Sequence, residues 1–152
     1  GPAYGAGGGL AVYDGEFTVG GTEFTNNYAY NEGGAIFSAV WAALDVAACS
    51  FDGNSGFLGG ALFHTDEGGF FLEGSVKPDS YKEISDARTS SAVSPQIEEL
   101  PMPDLSVERS VFSDNDSMAG AAVFASSLAP MGITNCVFEG NVTLGDSPLN
   151  AM

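Results

Sequence analysis

The sequence predicts an all-β fold, a right-handed parallel β-helix of about four coils with one long corner insertion. Three observations carry this. Phe-x-x-Asn recurs four times, at Phe24/Asn27, Phe51/Asn54, Phe112/Asn115 and Phe138/Asn141. The first three copies are followed, eight or nine residues after the Phe, by glycine and an apolar run. Apolar residues also stand five and seven positions before each motif Phe: Val19 and Phe17, Val46 and Leu44, Val107 and Leu105, Ile133 and Met131. A unit of about 26 residues cannot enclose a core alone, so the units must stack.

Taken in order, each coil opens on its glycine run. These runs are Gly9-Leu10-Ala11-Val12-Tyr13, Gly33-Gly34-Ala35-Ile36-Phe37, Gly59-Gly60-Ala61-Leu62-Phe63 and Gly120-Ala121-Ala122-Val123-Phe124. The apolar pair two residues apart marks one face of a second strand. The motif Phe lies on a third piece, and its Asn falls at a turn, where a side-chain amide can bond its own and the neighbouring backbone. Equivalent residues of stacked coils lie about 4.8 Å apart, so the four phenylalanines form one inner column. Helical repeats are excluded because glycine at every unit opposes helix.

The coils span about 9–32, 33–58, 59–119 and 120–145 within a single domain, 1–152. The third is too long, and an insertion of about 68–103 accounts for it. That stretch carries three of the four basic residues, Lys77, Lys82 and Arg88, and reads as a surface excursion at a corner. Tyr81 to Ala87 is its one candidate helix.

Phe-x-x-Asn combined with Gly-Gly-Ala-(Ile/Leu/Val) resembles the repeats of chlamydial polymorphic outer-membrane proteins (Pmp-like repeats). The resemblance covers about 110 residues in four units. Coil one departs from it with Gly-Leu-Ala-Val, and coil four with Gly-Ala-Ala-Val. It implies an extracytoplasmic β-helix of passenger type, used for adhesion or display. The family's translocating barrel has no counterpart in these residues, so membrane translocation is not carried over.

Twenty acidic residues against four basic ones give a formal net charge of −16. Phosphate recognition needs clustered Lys and Arg, so nucleic acid and anionic membrane surfaces are excluded as partners. No apolar run is long enough to span a bilayer as a helix. The expected setting is secreted or cell-surface, with the lumen of an organelle, inside a complex, as the alternative.

Candidate chemistry is sparse, and no catalytic or cofactor-binding residue is assigned. His64 is the only histidine and is expected at the surface; one His cannot complete a triad or a zinc site. Asp114 and Asp116 flank Asn115 and form a weak calcium candidate, although no acidic column repeats. Asn115-Asp116-Ser117 and Asn141-Val142-Thr143 match the glycosylation sequon, but both acceptors are motif asparagines that the turns need. The best interaction candidate is an aromatic strip, Tyr13, Phe37, Phe63 and Phe124. Each follows an aliphatic residue, and adjacent strand residues face opposite sides. The strip either faces outward as a contact surface or is packed away inward or beneath the insertion or the termini.

The function expected is therefore that of a non-enzymatic structural or interaction protein: a β-helical surface-protein segment or an accessory subunit of a larger assembly, with other protein chains as partners. A glycan- or ligand-binding module using the strip is the alternative, and a carbohydrate-active β-helix enzyme is a further one.

Cys49 and Cys136 both stand two residues before a motif Phe. They share a column two coils apart, about 10 Å at the stacking distance, beyond the roughly 7 Å limit for a disulfide. Alkylation of unfolded, unreduced protein should label both thiols. A mass deficit of two hydrogens with no labelling would overturn the stacking.

Overall fold

The computed structural model describes residues 5–66, 105–127 and 129–144. Among these the chain is all-β, and its strands pair in parallel. The first repeat supplies β1 (Leu10–Gly20), β2 (Glu23–Thr25) and β3 (Tyr28–Glu32). The second supplies β4 (Ile36–Ala47), β5 (Ser50–Asp52) and β6 (Ser55–Leu58). The third contains β7 (Leu62–Thr65), β8 (Leu105–Glu108), β9 (Val111–Ser113) and β10 (Asp116–Ala119). The fourth contains β11 (Val123–Ser126), β12 (Met131–Thr134), β13 (Val137–Glu139) and β14 (Val142–Thr143). They assemble into three curled sheets. The first joins β1, β4, β7, β8, β11 and β12, the second runs β2-β5-β9-β13 and the third β3-β6-β10-β14.

Three expectations need correction. The glycine run and the following apolar pair are not separate strands in the first two repeats. β4 is continuous, pairing with β7 through its first half and β8 through its second. The third piece of each repeat is instead the strand after the motif Asn, which forms the third sheet. Second, the flanks of the expected insertion do not mark a corner between sheets. β7 ends at Thr65 and β8 begins at Leu105, and both pair with the one continuous strand β4. The expected excursion 68–103 and the candidate helix lie outside the described residues.

Third, the first repeat is in a different register. Leu10, not Val12, pairs with Ile36, and Gly7 and Gly8 donate to Glu32 and Gly33 as Gly33 and Gly34 do to Leu58 and Gly59. The first repeat therefore opens at Gly7-Gly8-Gly9-Leu10, two residues earlier than expected. A β-bulge hid this: between Tyr13 and Gly15 the register slips against Ala39 and Ala42, so β4 fits one more residue into the same length.

A left-handed residue turns each corner between sheets. Between the first and second sheets these are Gly21, Ala48, Arg109 and Asn135, and between the second and third Asn26, Gly53, Asp114 and Gly140. The second set is the third residue of every Phe-x-x-Asn. Asn, Asp and Gly enter this region at least cost, which explains the residue types there. The last corner uses Gly7, Gly33, Gly59 and Gly120. There a Cβ at Gly33 would run into the carbonyl of Ile36, so only glycine fits.

The core holds two ladders. Phe24, Phe51, Phe112 and Phe138 stack nearly parallel, with centroids 5.0, 4.6 and 4.9 Å apart. Around them pack Ile36, Leu44, Val46, Leu62, Leu105 and Val107. Cys49 and Cys136 are free thiols, and Ser110, whose hydroxyl accepts from the Cys49 amide at 3.1 Å, occupies the same motif position in the third repeat. Beside the rings runs the asparagine ladder. Asn54 Oδ1 accepts from the backbone N–H and Nδ2 of Asn27 at 3.0 and 2.9 Å. Asn115 Oδ1 accepts likewise from Asn54 at 2.9 and 3.0 Å, and Asn141 Oδ1 from Asn115 at 3.1 and 2.8 Å. Each amide also donates to the phenylalanine carbonyl of the preceding repeat: Asn54 to Phe24, Asn115 to Phe51 and Asn141 to Phe112.

Asn115→Ala removes the shared acceptor of two Asn54 donors in a buried site, where each stranded group costs on the order of 1–3 kcal/mol. Asn27→Ala strands only the acceptor side of Asn54. Urea unfolding should show at least twice the loss for Asn115→Ala. Equal losses would mean that the ladder is not a buried network.

Candidate functional site

The aromatic strip forms, but not as an open surface. Phe37, Phe63 and Phe124 stack at 5.5 and 5.4 Å, nearly parallel. Phe37 and Phe63 are buried in a second apolar cluster with Ala39, against which Ala6, Leu58 and Phe124 pack. The strip is thus separate from the main core, as strand alternation requires, yet covered. Only Tyr13 is exposed. Tyr13 pairs with Ala39 rather than Phe37, and its ring meets Phe37 at a 53° tilt. Its hydroxyl is pushed up from the usual range by burial and then by the Glu32 carboxylate.

His64, expected at the surface, is buried. It shares the inner face of the first sheet with Ser38 and Ala125, opposite the strip as its alternation with Phe63 requires, and Ala125 packs against the main core. Its Nδ1 lies 3.1 Å from Ser38 Oγ, while Nε2 has no hydrogen-bond partner among the described residues. Burial pushes the imidazole down to about 4, with the Asp66 carboxylate pulling the other way. This Ser–His contact is sealed from solvent, so substrate has no access to it.

The calcium candidates do not converge. Asp114 sits on the left-handed corner, whereas Asp116 opens β10 and accepts from Ser55 Oγ at 2.8 Å. Among the described residues no group of three or more His, Cys, Asp or Glu stands close enough to hold a metal. Asn115 and Asn141, the sequon acceptors, have their amides committed to the ladder. Among the described residues no helix is long and apolar enough to cross a membrane.

Two further surfaces stand out: one the sequence does not reveal, and one, the exposed end of a stack of coils, that it leads one to expect. The first is the outer face of the third sheet. After each motif Asn the strand alternates outward and inward: Tyr28-Ala29-Tyr30, Ser55-Gly56-Phe57, Asp116-Ser117-Met118 and Val142-Thr143-Leu144. The inner column (Ala29, Gly56, Ser117, Thr143) is small, so it leaves no apolar signal. The large residues point out, and Tyr28, Tyr30 and Phe57 are more than half exposed. With Ser55 and Asp116 they line a hollow of about 440 Å³.

The second surface is the end of the stack at the fourth repeat. Met131, Ile133 and Phe138 are between 45% and 47% exposed, whereas their partners Leu105, Val107 and Phe112 are at most 2% exposed. No described residue accepts from the Asn141 backbone N–H in the way Asn141 itself serves Asn115.

No protein-family description, curated protein or solved structure matches the chain.

The buried imidazole makes a pH prediction. In the unfolded chain His64 titrates near 6.5, and in the fold near 4. The unfolded state therefore binds the proton first as pH falls, and the His64 contribution, present above 6.5, is lost between 6.5 and 4. A shift of this size corresponds to about 3 kcal/mol. Denaturant titrations of wild type and His64→Gln should converge by about that amount across the window. A difference independent of pH would place the imidazole in solvent.

Proposed function

We propose that the chain is a right-handed parallel β-helix of about four coils acting as a non-enzymatic structural or interaction protein. In this reading it is a surface-protein segment or an accessory subunit of a larger assembly, in an extracytoplasmic setting, and its partner is another protein chain. Three parallel sheets, each fed by every repeat, and left-handed corners at equivalent positions support the coil geometry. The observation that carries the function is the half-exposed inner column of the fourth repeat. Met131, Ile133 and Phe138 present core side chains to solvent beside outer edges of β12 and β13 that no described strand pairs, and such edges normally require a cover.

The cover is not simply a fifth identical coil. A Cβ at Gly34 or Gly60 would run into carbonyls that include one from the following repeat. The fourth repeat carries Ala121 at this position. A further coil of the same geometry would meet that methyl group, so the partner engages the first and second sheets and diverges at this corner. Burial of Phe37 and Phe63 withdraws the middle of the aromatic strip from solvent and leaves only its ends, exposed Tyr13 and half-buried Phe124, which counts against the strip as a continuous glycan platform. The sealed Ser38–His64 contact counts against an enzyme.

Sedimentation velocity and native mass spectrometry over a concentration series test this. The isolated chain should associate reversibly through the end face. Ile133→Lys should shift it to monomer without lowering its unfolding midpoint by more than about 2–4 °C, since a half-exposed site contributes modestly. A chain that is monomeric at every concentration, folds cooperatively and has no partner in its native extract would sink the proposal.

A further inference from the structure

The outer face of the third sheet carries a second site, independent of the end face. Register builds it. Tyr28, Ser55 and Asp116 are paired neighbours across three successive repeats. Phe57 and Met118 form the next outward row, two residues along each strand, and Tyr30 joins it through a bulge in β3. Ser55 is the short residue at the centre, so the larger outward side chains around it leave an open, shallow hollow. Its volume of about 440 Å³ falls in the range of small-molecule sites, roughly 300–1,000 Å³.

Charge selects the occupant. Asp116 contributes a carboxylate whose one described hydrogen bond comes from the neutral Ser55 hydroxyl at 2.8 Å. No described cation reaches it. The single basic residue among those described is Arg109, whose guanidinium lies against Glu108 at 4.0 Å. The chain as a whole carries −16, which repels anionic ligands from this face. A carboxylate set among two tyrosine rings, a phenylalanine ring and a thioether is the donor set for an organic cation: the ring faces attract it, and its alkyl groups fill the apolar walls. We infer that the hollow binds an organic ammonium ion, a quaternary or alkylated amine of about the size of choline.

Calorimetric titration of the whole chain at low salt tests this, with choline chloride as the probe and its neutral isostere 3,3-dimethylbutan-1-ol as the control. Choline should bind saturably with a dissociation constant in the millimolar range, and added salt should weaken it. The isostere should bind at least about fivefold more weakly, as expected if cation–π and ionic attraction carry the recognition. Asp116→Asn keeps the side-chain shape and should weaken choline by roughly tenfold, and Phe57→Ala by several-fold. Unchanged far-ultraviolet spectra and unfolding midpoints would show that the variants fold. If Phe57→Ala does not fold, Asp116→Asn and the isostere decide the matter. Absence of saturable choline binding, equal binding of the isostere, or undiminished binding by Asp116→Asn would each overturn the inference. So would binding of neutral oligosaccharides without choline.

Discussion

The asparagine ladder is the constraint on which the rest of this structure depends. Its four amides are linked head to tail, the Oδ1 of Asn54, Asn115 and Asn141 each taking two N–H groups from the repeat before it. The Nδ2 of each of these three also donates to the phenylalanine carbonyl of that preceding repeat. One side chain thus fixes the separation, register and direction of consecutive repeats. A slip of one residue would turn every inner side chain of the affected strand outward. It would also strand buried donors, which is costly. The ladder spans the long gap in the third repeat, linking Asn54 to Asn115 across 61 residues with the same geometry used across 27 and 26. An insertion is tolerated because the bonds that set register lie on the opposite side of the repeat.

The other features follow from that lock. With repeats held at strand spacing, the phenylalanines have little choice but to stack nearly parallel, despite the general preference of aromatic pairs for offset or edge-on contacts. The corners must turn within one residue, which confines them to left-handed residues. The inner face of the third sheet must be narrow, so Ala29, Gly56 and Ser117 are small. Their outward neighbours are released from packing and free to serve recognition. The hollow around Ser55 and the exposed end at Phe138 are both by-products of regularity, one on a side face and one where the regular stack stops.

The second apolar cluster shows the opposite outcome. Phe37, Phe63 and Phe124 alternate outward just as Tyr30 and Phe57 do, yet the first two are buried. On the opposite, inner face of the same strands His64 lies buried against Ser38, and burial lowers its affinity for a proton. Two outward aromatic columns built on identical strand logic therefore have different fates, and what lies over each of them decides which can meet a ligand.

Much of the architecture was legible in the sequence. The Phe-x-x-Asn spacing determined the stacked parallel strands, the phenylalanine column, the role of the asparagines and the separation of the two thiols, because each follows from residue type repeated at fixed distance. The same pattern could not reveal the third sheet, whose inward residues are too small to register as apolar. Nor could it reveal the one-residue bulge opposite Tyr13 to Gly15, since a bulge changes residue count without changing residue character. Exposure of the outward residues lay with the tertiary structure. Alternation with Phe63 alone puts His64 on the inner face. For outward side chains only the arrangement of the rest of the chain tells whether that side meets water, and so Phe37 is buried while Tyr28, Tyr30 and Phe57 stand open around Asp116.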